Sequence, residues 1–293
     1  MNQSSAKLLL ISVFTARGTS FLFSKSLMGT MSPMSILALR FILAFLILTL
    51  VFYKKLKNLR MPTLRGGLIL GLLYTICMMF EMYGLRLLDS GVSALIENMA
   101  ILFVPIYVAL WTRTWPRAKT LFCAVLAIAG VGLLSISQME MKSGSLGIFL
   151  IICAALTYGF CILATEKVAK DGDPVAIGII QLGVMGFLSL AVALLTESFT
   201  MPSSQNQWTM LLFLVLICSC FGFTFQPVGQ RYLPAETAAV LTVINPFAAS
   251  ILGVLVAHEG LTLAKGAGYI VILLALVIYN KNTEKKLNQG TKI

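Results

Sequence analysis

At 293 residues, 58% of them hydrophobic and only 11% charged, with a mean hydropathy of +0.93, the chain is excluded from the ordinary soluble domains, about a quarter of whose residues are charged. A net charge of +11 suits nucleic acid or acidic substrates as readily as a topology signal, so the placement of the basic residues decides what it means.

Windows of about 20 mostly apolar residues, the length of helix that crosses a hydrocarbon core, follow one another along the whole chain. In order they are 7–27, 34–53, 66–86, 90–111, 118–138, 145–165, 173–196, 207–230, 235–256 and 264–281. The first carries Arg17 in its interior and ends in "KSLMGTMSP" instead of a small-x-small site, so it is expected to stay in place as a span and not as a cleaved signal peptide. The longest hydrophilic stretches are 54–65 and 280–293, so any activity is expected within the membrane.

With the N-terminus inside, the inner loops and tails hold Lys7, Lys54, Lys55, Lys57, Arg60, Arg65, Arg113, Arg117, Lys119, Lys167, Lys170, Arg231, Lys281, Lys285, Lys286 and Lys292. The outer side holds only Lys25, Arg86, Lys142 and Lys265. That asymmetry is the positive-inside rule, and it predicts a multi-pass plasma-membrane protein with both termini cytoplasmic. The basic excess is thereby used up as topology, and no nucleic-acid partner is expected.

Sliding the chain against itself by 145 residues aligns "YGLRLLDSGVSALIENMAI" (83–101) with "VGQRYLPAETAAVLTVINP" (228–246), so that Gly84 meets Gly229, Arg86 meets Arg231 and Ala94 meets Ala239. An offset of 141 places "LTYGFCILATEK" (156–167) on "TARGTSFLFSK" (15–25), with Gly159 on Gly18 and Tyr158 on Arg17. The spans therefore read as two copies of a five-helix unit, residues 1–140 and 141–293. Because five is odd, the second copy enters the membrane from the opposite side. The expected fold is an all-α integral membrane protein of ten transmembrane helices in two inverted five-helix repeats, an arrangement that places substrate near the midplane between the repeats.

These residues resemble the EamA family of the drug/metabolite transporter superfamily. The pieces are "RGTSFLFSK" (17–25), "LRFILAFLIL" (39–48), "ILFVPIYVALW" (101–111) and "INPFAASILGVLVAHEGLTLAKGAGYIVILLAL" (244–276). The chain departs from the family pattern at Arg17, where an aromatic is usual, and at "RTWPRAK" (113–119), where a glutamate would fall. The resemblance implies export or exchange of amino acids, amines or other small metabolites by alternating access.

Charged groups inside a span are costly in lipid and so face a cavity, pair up, or mark function. Arg17 stands ten residues from Lys7, about 15 Å into the bilayer at the helical rise. Glu81 and Glu97 lie eight residues to either side of Asp89 at the outer turn, so antiparallel helices bring them to one depth, with Asn98 beside them. The repeat places Gln226 on Glu81 and Thr242 on Glu97, with Asn245 just beyond. The candidate substrate-binding set is accordingly Glu81, Glu97 and Asn98 toward the outside, Arg17 and Tyr158 at the centre, and Gln226, Thr242 and Asn245 toward the inside. For Glu81 and Glu97 two readings stand side by side: a structural ion pair with Arg17 or Arg40, or a site for a proton or a cationic group.

The remaining features read as structural. Arg40 and Lys25 are expected to snorkel or to satisfy neighbouring helix ends, His258 and Glu259 to lie in an outer loop, Pro105, Pro227 and Pro246 to interrupt helices, and Gly67 and Gly71 to allow close packing. The six cysteines fall inside spans, with no metal-like spacing and one histidine in the chain, and read as small apolar residues. No metal, cofactor or phosphate loop is expected.

The function expected is a secondary transporter of a small polar metabolite, first an amino acid or amine, coupled to protons or working by exchange. Acids and an arginine together suit a zwitterion. The alternatives are a lipid flippase and, with less support, a membrane-embedded enzyme. The expected partners are a small-molecule substrate and the lipid bilayer; the oligomeric state is not legible.

Overall fold

A computed structural model describes residues 1–57, 59–111, 113, 118, 122–123, 125–126, 129–130, 133, 144–256, 263, 266–271, 273–275 and 278. Among them, seven helices are long and apolar enough to cross a membrane: α1 (Gln3–Leu27), α2 (Pro33–Val51), α3 (Met61–Leu87), α4 (Ser90–Trp111), α5 (Gly144–Asp171), α6 (Pro174–Thr196) and α7 (Gln205–Gln230). They coincide with seven of the expected windows. Two shorter helices follow, α8 (Ala235–Leu241) and α9 (Ile244–Leu255). The window 118–138 falls largely, and the window 264–281 partly, outside the described residues, as do His258 and Glu259.

Local signals set the helix starts. Asn2 caps α1 by accepting from the Ser5 amide at 2.8 Å, and Asp173 caps α6 by accepting from the amides of Val175 and Ala176 at 2.9 and 3.1 Å. Proline stands in the first turn of α2, α3 and α6, where its missing N–H has no intrahelical role.

The window 235–256 is a broken helix and not one continuous span. Thr242 and Val243 form a turn between α8 and α9. Pro246 cannot donate to the Thr242 carbonyl, which the Asn245 amide takes instead at 2.8 Å. A matching turn at Asn98 and Met99 divides α4. Pro227 inside α7 likewise frees the Phe223 carbonyl, and Gln181 of α6 fills it at 3.2 Å.

The consecutive pairs α2–α3, α3–α4 and α5–α6 are minor partners, and most of the bundle is formed by helices that are not chain neighbours. α3 packs on α5 and α6, α2 on α6 and α7, α1 on α7 and α9, and α4 on α5 and α9. Glycine sets several approaches: a Cβ at Gly67 or Gly71 would come within 2.6 Å of Ile180 or 2.4 Å of Val184, so these positions do allow α3 to lie close to α6.

Both ends of the bundle are tied. At the end carrying the α2–α3 connection, the Asp173 amide donates to Thr63 Oγ1 at 3.1 Å and Lys55 pairs with Asp173 at 3.3 Å. At the other end the Ser32 amide donates to Thr200 Oγ1 at 2.9 Å, and Glu197 accepts from the Met34 amide at 3.0 Å and from Tyr83 at 2.7 Å.

Candidate functional site

The centre of the bundle is polar. Arg17, Glu81, Glu97, Asn98, Tyr158, Gln226, Thr242 and Asn245 are all buried, none more than 7% exposed, although each sits in an apolar stretch of sequence. α1 supplies Arg17 and next to it Gly18, where a Cβ would lie 2.6 Å from the Asn245 carbonyl oxygen; the missing side chain lets α9 close on α1. Opposite Arg17, α7 passes through a π-helical stretch, Leu214–Phe223, of the kind that re-aims side chains at functional sites. Within it Gly222 leaves room for the arginine stem, since a Cβ there would stand 3.0 Å from Arg17 Cγ.

The Arg17 guanidinium donates through Nη1 to Tyr158 Oη at 3.2 Å and to Gln226 Oε1 at 2.5 Å. Its Cζ lies 4.3 Å from the Phe223 ring centroid, 4.9 Å from that of Tyr158 and 5.7 Å from that of Tyr74, so the cation is caged by aromatic faces, each worth about 2 kcal/mol when desolvated. Gln226 passes the network on, donating through Nε2 to Tyr74 Oη at 2.8 Å and to Gln230 Oε1 at 2.9 Å, and Gln230 donates to the Ile162 carbonyl at 3.1 Å.

Glu81 on α3 and Glu97 on α4 are near neighbours inside the bundle, as the symmetric spacing about Asp89 predicts. Cys77 donates to Glu97 Oε1 at 3.9 Å and to the Ala154 carbonyl at 3.5 Å. Among the described residues no ion pair joins Arg17 or Arg40 to either glutamate. The structural ion pair weighed from sequence is therefore not formed in this conformation.

Arg40 does not snorkel. It is 1% exposed, donates through Nε to Ser219 Oγ at 2.6 Å and lies 5.0 Å from the Phe41 ring, while its Nη1 has no partner. The small residues of the π-helical stretch open a place for it inside the bundle, which hydropathy alone does not register. Lys25 behaves as expected of a boundary residue, donating to the Leu88 and Leu85 carbonyls at the end of α3.

Besides the two glutamates, three expected residues stand outside the Arg17 network. Thr242 spends its hydroxyl on its own helix, donating to the Ala239 carbonyl at 2.7 Å. Neither amide atom of Asn98 has a partner, nor has Asn245 Oδ1; all three residues sit at or beside the two helix breaks. Conversely, Tyr74, Phe223, Gln230 and Gln181 belong to the centre and were not foreseen. The two glutamines are polar residues within apolar windows, a readable signal. The two aromatics look like ordinary span residues.

Two cavities lie off this centre. One of about 360 Å³ opens at the basic end of the bundle between Arg60, Asp173 and Arg231. The other, a lateral apolar groove of about 690 Å³ between α3 and α5, is lined by Ile76, Met79, Phe80 and Leu150 with Arg86 at its edge.

A family model described as the EamA-like transporter family matches residues 4–136 and again 145–281. Among curated proteins the chain is similar to the uncharacterized transporter YvbV of Bacillus subtilis, 22% identical over 94% of this chain and 91% of that one. It is also similar to the uncharacterized transporter YcxC of the same organism, 24% identical over 92% and 90%, and to an uncharacterized transporter of Archaeoglobus fulgidus, 26% identical over 65% and 67%. A solved crystal structure shares the fold with a TM-score of 0.71 at 16% identity, covering 96% of this chain and 98% of the other.

Proposed function

This chain belongs to the EamA-like transporter family, and from that premise we propose that it is a secondary transporter, not an enzyme, which moves a small polar metabolite across the plasma membrane by alternating access. The substrate carries a carboxylate, an amino acid being the first choice, and the direction is export. The ten helices form two inverted repeats, 1–140 and 141–293, with both termini cytoplasmic.

The observation that carries this reading is the contact between Arg17 and Tyr158. They are equivalent positions under the 141-residue offset, and residues that an operation exchanges can touch only on its axis. Other contacts support the same operation. α3 packs on α5 as α7 packs on α1; α3 lies on α6 as α7 lies on α2; α4 lies on α5 as α9 lies on α1. A Cβ at Gly84 would meet Ile151 at 2.6 Å, and one at the equivalent Gly229 would meet Leu10, the equivalent of Ile151, also at 2.6 Å. The helix breaks at 98–99 and 242–243 correspond to within one residue under the 145-residue offset, and broken helices at the midplane are where such carriers bind substrate and coupling ion.

At the axis, a caged guanidinium with neutral partners offers its charge to a substrate carboxylate, and the neighbouring buried carboxyls of Glu81 and Glu97 favour coupling to protons. A flippase calls for a polar lateral path, whereas the lateral groove between α3 and α5 is apolar. Counterflow of labelled amino acids in proteoliposomes tests the reading: trans-stimulated exchange of a carboxylate-bearing solute is expected, and its absence across amino acids, amines and organic acids would overturn it.

A further inference from the structure

We propose that the cavity at the basic end of the bundle is a binding site for a phosphate-bearing anion, separate from the central route. Its walls come from three places: Lys55 and Arg60 between α2 and α3 with Thr63 in the first turn of α3, residues 170–173 at the end of α5 and the turn into α6, and Arg231 between α7 and α8. At about 360 Å³ it holds a phosphate ester together with several waters, each of which occupies about 30 Å³ in the liquid. None of the residues of the Arg17 network lines it.

The charges on these walls do not cancel. Four cationic side chains, Lys55, Arg60, Lys170 and Arg231, line the cavity with two acidic ones, Asp171 and Asp173. Lys55 is engaged by Asp173 at 3.3 Å, and Lys170 by Glu166 at 2.5 Å. That leaves Arg60 and Arg231 against Asp171. Arg231 commits Nη1 to the Gly172 carbonyl at 3.3 Å, which fixes the guanidinium at the rim and leaves its other donors for a ligand. Two guanidiniums on one polar cavity match phosphate oxygens in a way that ammonium groups do not, because the planar fork donates two parallel hydrogen bonds. The occupant is a phosphodiester headgroup of the adjoining lipid leaflet or a soluble phosphate. Either one, bridging Arg60 and Arg231, ties α3 to α7 and adds to the Lys55–Asp173 closure of this end.

Thermal unfolding of the purified full chain in neutral detergent tests the site. The chain is titrated with inorganic phosphate, and separately with mixed micelles of phosphatidylglycerol or phosphatidylcholine, against chloride at equal ionic strength. A ligand that binds only the folded state raises the unfolding temperature saturably. A rise with inorganic phosphate identifies a soluble occupant, and a rise with phosphatidylglycerol alone a lipid headgroup; either supports the site. R60A/R231A is expected to weaken the apparent affinity by about tenfold or more. R60K/R231K, which keeps the charge and the fold but loses the forks, is expected to fall between. No saturable rise beyond chloride with any phosphate probe, or the same affinity in wild type and R60K/R231K, overturns the proposal.

Discussion

The Arg17 guanidinium donates to the Tyr158 hydroxyl across 3.2 Å, and these two residues occupy the same place when the chain is laid on itself with an offset of 141. Arg17→Gln removes the cation that the rings of Tyr74, Tyr158 and Phe223 surround. It is expected to raise the KM for carboxylate-bearing substrates in counterflow by about 10- to 100-fold, the worth of a charge-assisted hydrogen bond. Tyr158→Phe removes one neutral partner and is expected to cost about fivefold. An unchanged KM in Arg17→Gln would remove Arg17 from the substrate site.

Glu81 and Glu97 lie side by side inside the bundle, which is the basis for proposing them as the pair that exchanges protons. Glu97→Gln and Glu81→Gln are each expected to flatten the pH dependence of uptake and efflux in proteoliposomes while the protein stays folded. Retention of the wild-type pH profile in both variants would sink the proton role.

Close approach of α1 and α9 depends on Gly18, whose added Cβ would stand 2.6 Å from the Asn245 carbonyl oxygen. Backbone cannot yield as a flexible side chain does, so Gly18→Ala is expected to lower stability by about 1–3 kcal/mol. Gly29→Ala is the control: its Cβ would meet nothing nearer than the Ser26 carbonyl at 3.4 Å, and its expected cost is within about 0.5 kcal/mol. Thermal unfolding of the two variants in detergent separates them.

Asp173 links stability to pH. Partial burial pushes its carboxyl up, but the amide donors of Ala176 and Val175 and the Lys55 ammonium outweigh burial and hold it below its ordinary value of 3.8. A carboxyl depressed on folding contributes stability that is fully present above its unfolded value and is lost as pH falls through the folded one. Asp173→Ala is expected to cost about 1 kcal/mol at neutral pH through the lost cap. Asp173→Asn keeps the cap, costs less, and flattens the acid limb of unfolding temperature against pH below about pH 4. An acid limb identical to wild type in Asp173→Asn would refute the linkage.

Thr63 and Thr200 accept from the Asp173 and Ser32 amides at opposite ends of the bundle, at 3.1 and 2.9 Å. If access alternates, Thr63→Val is expected to raise the reactivity of a cysteine placed at Arg231, and Thr200→Val that of one placed at Glu197, each toward a water-soluble thiol reagent by severalfold for a loss of about 1 kcal/mol. Equal reactivity at both ends in both variants would argue against gates there.

Much of the candidate site was legible because polarity inside an apolar window is itself the signal. Arg17, Glu81, Glu97, Tyr158 and Gln226 could be named from the windows and the offsets. What they bond to could not. Arg17 was weighed against carboxylates and instead binds Gln226 and Tyr158; Arg40 was expected at the rim and lies inside against Ser219. Tyr74 and Phe223 look in sequence like any aromatic residue of a span.

The amino-acid sequence by itself determined the class of molecule and where its long helices lie, because the transfer free energy of a span is a sum over its own residues and needs no neighbour. The same local arithmetic located the glycines that permit close packing and the prolines that free carbonyls. Only the tertiary structure decided which helices meet, that the window 235–256 breaks at Thr242 and Val243, and that the π-helical stretch of α7 turns Gly222, Phe223 and Gln226 onto Arg17. Those outcomes depend on the rotation and crossing of helices distant in sequence. In a bundle where most partners are not chain neighbours, such geometry is set by packing among all helices at once, and no single stretch of sequence carries it.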